Sequence, residues 1–388
     1  MPSNALNEAV NDPTSANLLG MSRQQLEAFF ASYGEPKFRA QQWMKWAYQQ
    51  NVLAPDSMTD LSKGLRELLN AETQTILPEL IREQISSDGT TKWLLQLNGG
   101  DAIETVFIPE KSRGTLCISS QVGCALDCTF CATARQGFSR NLSADEIIAQ
   151  LWLASHQLRL QENLDRKITN VVMMGMGEPL LNFESVVSAL HVMVDDYAYG
   201  LGKRKVTVST SGVVPRIDKL REEIDVSLAV SLHAPNNELR TQLVPLNRKY
   251  PIEELLAACK RYLQGKNRKE SITFEYAMLR EVNDSEKTAK ELVSRLRNIR
   301  AKVNLIPFNP FPNAGYQRST DKKISKFAEI LADAGITTIT RRPRGEDIDA
   351  ACGQLAGQVS DRSHRGEHYA RLYERSILDR RFEIACAS

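Results

Sequence analysis

Three cysteines fall within eight residues, as Cys124-x3-Cys128-x2-Cys131 in the segment CALDCTFC. A thiolate is a soft anionic ligand, so three of them in one short loop can bind one metal centre together. Three is the informative number. Structural zinc sites use four protein ligands and ferredoxin-type clusters use four cysteines, whereas three leave one metal position open to something else. Two other readings stand beside this one: a four-cysteine zinc site that recruits Cys117, and a set of buried thiols with no ligand. Neither gives a reason for Phe130, the aromatic residue directly before the last cysteine.

The elements that must position this loop follow from periodicity. Residues from about Met21 to Leu77 predict helices: Ser22 suits an N-cap, apolar positions recur every three or four residues, and Pro36 and Pro55 punctuate. Phe29, Phe30, Tyr33, Phe38, Trp43, Trp46 and Tyr48 share that spacing and are read as core. Two apolar runs, Lys92 to Leu97 and Ala102 to Pro109, flank Asn98-Gly99-Gly100, a turn suited to a hairpin. β-rich runs then alternate with amphipathic stretches, the pattern of parallel strands joined by crossover helices. The expected strands are Thr115–Ser119, Asn170–Met174, Lys205–Ser209, Val226–Ser231, Ser271–Tyr276 and Lys302–Pro307. A capping box at Ser143 and Glu146 opens the first crossover helix. Six βα units are too few to close an eight-stranded barrel, so the expected class is α/β, an open partial (βα)6 barrel. The unusual sequences CALDCTFC, GMGEP, STSG, SLHA and NPF follow the first, second, third, fourth and sixth strands, which points to one site at one face.

Bulk properties narrow the class further. With 388 residues, 42% hydrophobic and 25% charged, the chain is long enough for a large core and an accessory domain. No run approaches the ~18 apolar residues of a membrane span, and the first residues lack a signal-peptide layout, so a cytoplasmic protein with no membrane partner is expected. Seven cysteines in that reducing setting argue for metal or catalytic thiols rather than a structural disulfide framework. A net charge of +2 excludes a globally basic nucleic-acid binder. The basic stretches Lys203-Arg204-Lys205, Lys260 to Lys269 and Arg341-Arg342-Pro343-Arg344 are read singly as solvated faces.

The CxxxCxxC loop with its aromatic resembles the radical S-adenosylmethionine (SAM) superfamily. The closer resemblance is to the RlmN/Cfr branch of RNA methyltransferases, through TLCISSQVGCALDCTFCATARQGFSRNL, VVMMGMGEPLLN, VTVSTSGVVP, SLHAPN, LIPFNP and RGEDIDAACGQL. It covers nearly the whole chain. The resemblance implies a radical SAM barrel preceded by a small helical domain and followed by a helical tail, with divisions at 1–90 for the RNA-binding accessory domain, 91–350 for the barrel and its hairpin, and 351–388 for the catalytic-cysteine loop and tail. It implies a [4Fe–4S] cluster on Cys124, Cys128 and Cys131, with the fourth iron chelating SAM, and SAM contacts from Gly177, Glu178, Ser209, Ser231, Leu232, His233 and Asn309.

It also implies two further thiols. An adenine ring carbon has no lone pair with which to attack a methyl cation equivalent, so ordinary methyl transfer fails. By resemblance Cys352 carries the methyl group, Cys117 resolves the protein–RNA adduct through a transient disulfide, and Glu104 takes the ring proton, with two SAM consumed per turnover. Cys259 and Cys386 are read as apolar thiols. The implied substrates are 23S rRNA, at the peptidyl-transferase centre, and tRNA, beside the anticodon, both at adenine C2. A one-electron donor such as flavodoxin and a monomeric state complete the expectation. The alternatives are a C8-methylating Cfr-type enzyme, an RNA-binding protein with a structural metal site, and a radical SAM enzyme acting on a small molecule or peptide. Cys352 separates the structural module from the rest, because such a module has no use for that distant thiol.

Overall fold

A computed structural model describes residues 15–160, 167–311, 314–351, 353–355, 357, 359 and 365. Apart from Arg365, the expected helical tail lies outside them. Ser22 caps α1 (Arg23–Ser32) with a complete capping box to Gln25. Next come α2 (Phe38–Met44), which runs on into a π-helical turn over Lys45–Gln49, and α3 (Lys63–Glu72). Phe30, Trp43 and Tyr48 are buried in the core of this bundle, as expected from their spacing. Tyr33 and Phe38, read as core with them, are 39% and 49% exposed, because they lie at helix termini, where Tyr33 meets Phe29 and Phe38 is covered by Arg39.

The chain then builds an antiparallel meander of β1 (Glu79–Ile85), β2 (Thr91–Gln96), β3 (Ala102–Glu110) and β4 (Arg113–Cys117). The turn between β2 and β3 uses Gly99 and Gly100 at positive φ, as its sequence requires. After β4 come β5 (Gln121–Gly123), α4 (Ala132–Arg135) and β6 (Phe138–Asn141), a small separate ribbon and a helical turn that frame the cysteine loop. α5 (Ala144–Leu160) then leads to β7 (Asn170–Met173), with Glu146 closing onto Ser143 N–H at 3.0 Å. The remaining order is α6 (Phe183–Val194), β8 (Val206–Thr210), α7 (Val214–Glu223), β9 (Ser227–Ser231), α8 (Asn237–Leu243), α9 (Ile252–Tyr262), β10 (Ile272–Met278), α10 (Glu286–Leu296), β11 (Ala301–Pro307), α11 (Asp321–Asp333) and β12 (Thr337–Thr340).

All strands but β5 and β6 form one open ten-stranded sheet in the order β1-β2-β3-β4-β7-β8-β9-β10-β11-β12. From β4 onward every pairing is parallel. The six expected parallel strands are present; β12 adds a seventh at one edge and β1 to β3 extend the other. Alternation divides the two faces. Leu116, Val171, Val208, Leu228, Phe274 and Val303 point outward and are buried under the helices, each contributing on the order of 1.5–3 kcal/mol. The inner rows run Cys117–Val172–Thr207–Ser227 and Ser231–Glu275–Asn304–Ile339, more polar than the outer face.

The helical bundle docks outside this barrel, on α5 and α6. Trp152 Nε1 donates to Ala47 O (2.9 Å), Ser188 Oγ to Gly20 O (2.9 Å), and Tyr48 packs on Tyr199. At the other edge the loop after β12 crosses back to the β1–β2 turn. Ser86 Oγ donates to Asp347 (2.5 Å), Ser87 N–H to the same carboxylate (3.1 Å), and Gly345 N–H to Asp88 (3.2 Å). Among the described residues no helix is long and apolar enough to cross a membrane.

Candidate active site

The cysteine loop hangs between β5 and α4 at the C-terminal end of the parallel strands. Cys124 N–H is tied to Gly137 O (2.8 Å) and Thr129 N–H to Leu243 O (3.1 Å), while the Arg365 guanidinium donates to the carbonyls of Cys124 and Leu126. Cys124 and Cys128 are buried and Cys131 is half-buried. Burial pushes the Cys128 thiol up to about 12 and those of Cys124 and Cys131 up as well, and Cys131 raises the other two further. Such thiols ionise only when a cation compensates them, which is what metal ligands require. Among the described residues no three His, Cys, Asp or Glu side chains are grouped for a single ion. Three soft donors facing one cavity, with no other cysteine among the described residues lining it, fit a multinuclear iron–sulfur core with one open iron.

The other wall of the cavity is a shelf made by the strand ends. Beyond β7, Gly177 sits at φ +101°, where a Cβ would lie 2.6 Å from Gln121 Cβ, so only glycine fits. Gln121 Oε1 in turn accepts from Glu178 N–H at 2.9 Å. The buried Glu178 carboxylate takes the N–H groups of Leu180 (3.1 Å) and Ser211 (2.7 Å), bridging the ends of β7 and β8. Burial raises its pKa, and these hydrogen bonds oppose the rise.

Ser209 and Ser231 line the cavity, as do His233 and Asn309. His233 stands at φ +60°, a left-handed conformation rare outside glycine. Its Nδ1 accepts from Ala277 N–H at 2.9 Å, which assigns the proton of the neutral ring to Nε2. Burial, aided by nearby Arg240, pushes its pKa down to about 3, and its ring meets Phe130 edge-on at 4.4 Å. Leu232 differs from its neighbours: its side chain is in the core, and only its backbone is close to the shelf. The space between these walls, open solvent at the mouth included, is about 970 Å³.

Glu104 and Cys117 project from β3 and β4 onto the same inner face, since Val106 pairs with Cys117 and Glu104 lies two residues earlier. Glu104 is buried and forms an ion pair with Lys92 Nζ at 3.0 Å, both side chains being 8% exposed. Lys92 also donates to Asp349 O at 3.3 Å. Cys352 lies outside the described residues, but its neighbours border the site. Gly353 lines the cavity and its carbonyl accepts from Ala132 N–H (2.9 Å), and Leu355 O accepts from Thr133 Oγ1 (2.7 Å). None of the five described cysteines is in a disulfide.

Several site residues are not evident from sequence. Ser211 and Glu275 line the cavity, as does Arg341 from a stretch read as a solvated face, and Arg240 lies behind the shelf. Glu275 and Arg240 belong to runs that look like ordinary strand and helix, and only strand register or tertiary packing brings them here.

Comparison with known proteins agrees with this geometry. The profile of the ribosomal RNA large subunit methyltransferase N-terminal domain matches residues 16–75, and that of the radical SAM superfamily matches residues 118–293. The chain is 56% identical over 355 residues to a dual-specificity RNA methyltransferase RlmN of Alcanivorax borkumensis, covering 91% of this chain and 93% of that one. A protein of the same description from Pseudomonas fluorescens is 52% identical over 370 residues, 95% of this chain and 97% of that one. The crystal structure of a radical SAM methyltransferase from Sphaerobacter thermophilus superposes with a TM-score of 0.81 at 45% identity, covering 87% of this chain and 98% of the other.

Proposed function

The chain belongs to the RlmN family of radical SAM RNA methyltransferases, and on that premise we propose that it methylates C2 of adenine in 23S rRNA and in tRNA through a methyl-cysteine. The carrying observation is that three cavity-lining thiols, a strand-end shelf, Glu104 and Cys117 all face the inside of one barrel end, beside the segment that contains Cys352. The C2 assignment draws on near-full-length identity to relatives described as dual-specificity enzymes.

Cys124, Cys128 and Cys131 would hold the [4Fe–4S] cluster. When bound and reduced by a one-electron donor such as flavodoxin, it supplies the chemistry that cleaves SAM to a 5′-deoxyadenosyl radical. Glu178, Ser209, Ser231, His233 and Asn309 would seat SAM, with Gly177 and the Leu232 backbone shaping the shelf. Cys352 would accept a methyl group from one SAM and present it as a carbon radical to adenine C2 after a second is cleaved. Glu104, held in place by Lys92 at 3.0 Å, would accept the C2 proton. Once the adduct had given one electron back to the redox centre and lost the C2 proton, Cys117 would attack the Cys352 sulfur and close a transient disulfide. The transferred carbon, leaving with the electron pair of its bond to sulfur, would take up a proton as the methyl group. Every group named comes from one chain, so the reaction needs no second copy.

The test is a labelled-methyl assay on a 23S rRNA fragment with anaerobically loaded enzyme, reductant and SAM, followed by nucleoside analysis. We expect 2-methyladenosine from the native chain and none from Cys352→Ala. 8-Methyladenosine would overturn the C2 assignment. SAM cleavage without RNA labelling would overturn the substrate, and intact SAM over a loaded cluster would overturn the enzyme itself.

A further inference from the structure

Arg240, on α8 behind the shelf, is fully buried. Its Nε donates to Leu232 O (3.2 Å), Nη1 to Asn247 Oδ1 (3.0 Å), and Nη2 to Ser211 O (2.6 Å) and Ser231 O (3.2 Å). All four acceptors are neutral. The titratable groups that favour its charge are the thiols of Cys128 and Cys259. Desolvation pulls the guanidinium down to about 10, which leaves it charged at neutral pH. Burying a charge without a counter-ion is costly, and such a group is stable only where an opposite charge is supplied. Cys259, pushed up to about 12 by burial, stays neutral, as does His233. Among the described residues the Glu178 carboxylate meets Ser211 from its N–H side, and the other counter-charge near Arg240 is the centre held by the three cysteines. Ser211 alone separates the two: its carbonyl takes Arg240, and its Oγ lies 3.9 Å from Cys128 Sγ.

A four-iron core with three thiolates is an anion, and uptake of one electron makes it more negative. We propose that Arg240 is a positioning residue of the redox centre: its guanidinium, hydrogen-bonded to neutral acceptors, raises the cluster's reduction potential while its hydrogen bonds fix the carbonyls of the SAM shelf. In this step the cluster takes one electron from a low-potential one-electron donor, and no proton moves. The inference rests on the reading that Cys124, Cys128 and Cys131 hold the cluster.

The experiment is a redox titration of the reconstituted full-length chain, followed by electron paramagnetic resonance without SAM or RNA. It compares the native chain with Arg240→Met, Arg240→Lys and Asn247→Asp. The last keeps the guanidinium and its carbonyl bonds but sets a carboxylate against Nη1, neutralising the charge in place. At the native midpoint, the reduced-to-oxidised ratio should fall about tenfold in Arg240→Met and Asn247→Asp, equivalent to ~59 mV for one electron, and stay within about twofold in Arg240→Lys. Unchanged midpoints in the two neutralised variants at native iron content overturn the proposal. So does a fall in Arg240→Lys as large as that in Arg240→Met, which would assign the effect to the carbonyl bonds. Should Arg240→Met fail to fold, Asn247→Asp decides alone. A native chain that takes up no iron would instead refute the three-cysteine reading.

Discussion

Replacing Glu178 by glutamine tests the shelf most directly, because the change keeps shape and removes only charge and one acceptor. In the native site both carboxylate oxygens hold backbone N–H groups, Leu180 at 3.1 Å and Ser211 at 2.7 Å. The amide offers one oxygen and one NH2, so whichever way it turns, one of these N–H groups faces another donor. A hydrogen bond to a charged group contributes about 1.5–3 kcal/mol, and the same range applies to a SAM ammonium that loses its carboxylate. At 1.4 kcal/mol per decade, SAM should bind about 10- to 150-fold more weakly.

The assay is equilibrium dialysis of labelled SAM against cluster-loaded, unreduced protein, with iron content and thermal unfolding measured in parallel. Glu184→Gln, at an exposed side chain, serves as the control and should change affinity less than about twofold. A pH series sharpens the test. Because burial raises the Glu178 pKa, native SAM affinity should begin to fall, on acidification, above the ordinary carboxylate range. The glutamine variant has no such proton to gain, and its profile should be flat there. A Glu178→Gln protein with normal iron, normal unfolding and native SAM affinity would refute the role given to this carboxylate.

Three further outcomes follow from the geometry. Lys92→Met breaks a buried ion pair, which costs about 3–5 kcal/mol of stability, and unfastens Asp349 O. Methylated RNA should fall more than about tenfold while 5′-deoxyadenosine still forms, and an equal loss of both products would sink the idea. His233 has its pKa at about 3 in the fold against about 6.5 unfolded, so the unfolded chain binds its proton first. The stability it contributes is full above the unfolded value and is lost as pH falls; in denaturant titrations, the advantage of the native chain over His233→Gln should shrink by about 2 kcal/mol from pH 7 to 5, and a constant difference would refute the buried neutral ring. Gly177→Ala forces a side chain into φ +101° against Gln121, a strain of about 1–3 kcal/mol; SAM affinity should drop at unchanged iron content, and iron loss would show that the cysteine loop depends on this turn.

The six parallel strands were legible as β-rich runs between amphipathic helical stretches, and the cysteine loop by its spacing. The edge strands were not. β1, ELIREQI, is mostly exposed, and β12, TTIT, carries a single apolar residue, so neither has the burial that creates a period-two signal. The same limit hid the charged partners of the site. Lys92 and Glu104 are neighbours through the pairing of β2 with β3, and Arg240 reaches Ser211 and Ser231 across the fold, relations that exist in register and packing rather than in spacing. Arg341 read as one of a solvated run because periodicity in a loop carries no direction.

The antiparallel flank also makes sense of the loop that contains Cys352. A partial barrel leaves a lateral gap between its first and last strands, which a substrate as large as RNA can use. Here β2 and β3, added beside the first parallel strand, carry Lys92 and Glu104, and the turn before them holds Asp347 and Gly345 of the loop leaving the last strand. On its other side the segment is held to α4 through Gly353 and Leu355. Cys352 is therefore bracketed in sequence by two anchors, one on the wall with Glu104 and Cys117 and one on the wall with the cysteine loop. A thiol that must meet SAM at the cluster side and the base at the Glu104 side would need that bracket, and a purely structural metal site would not.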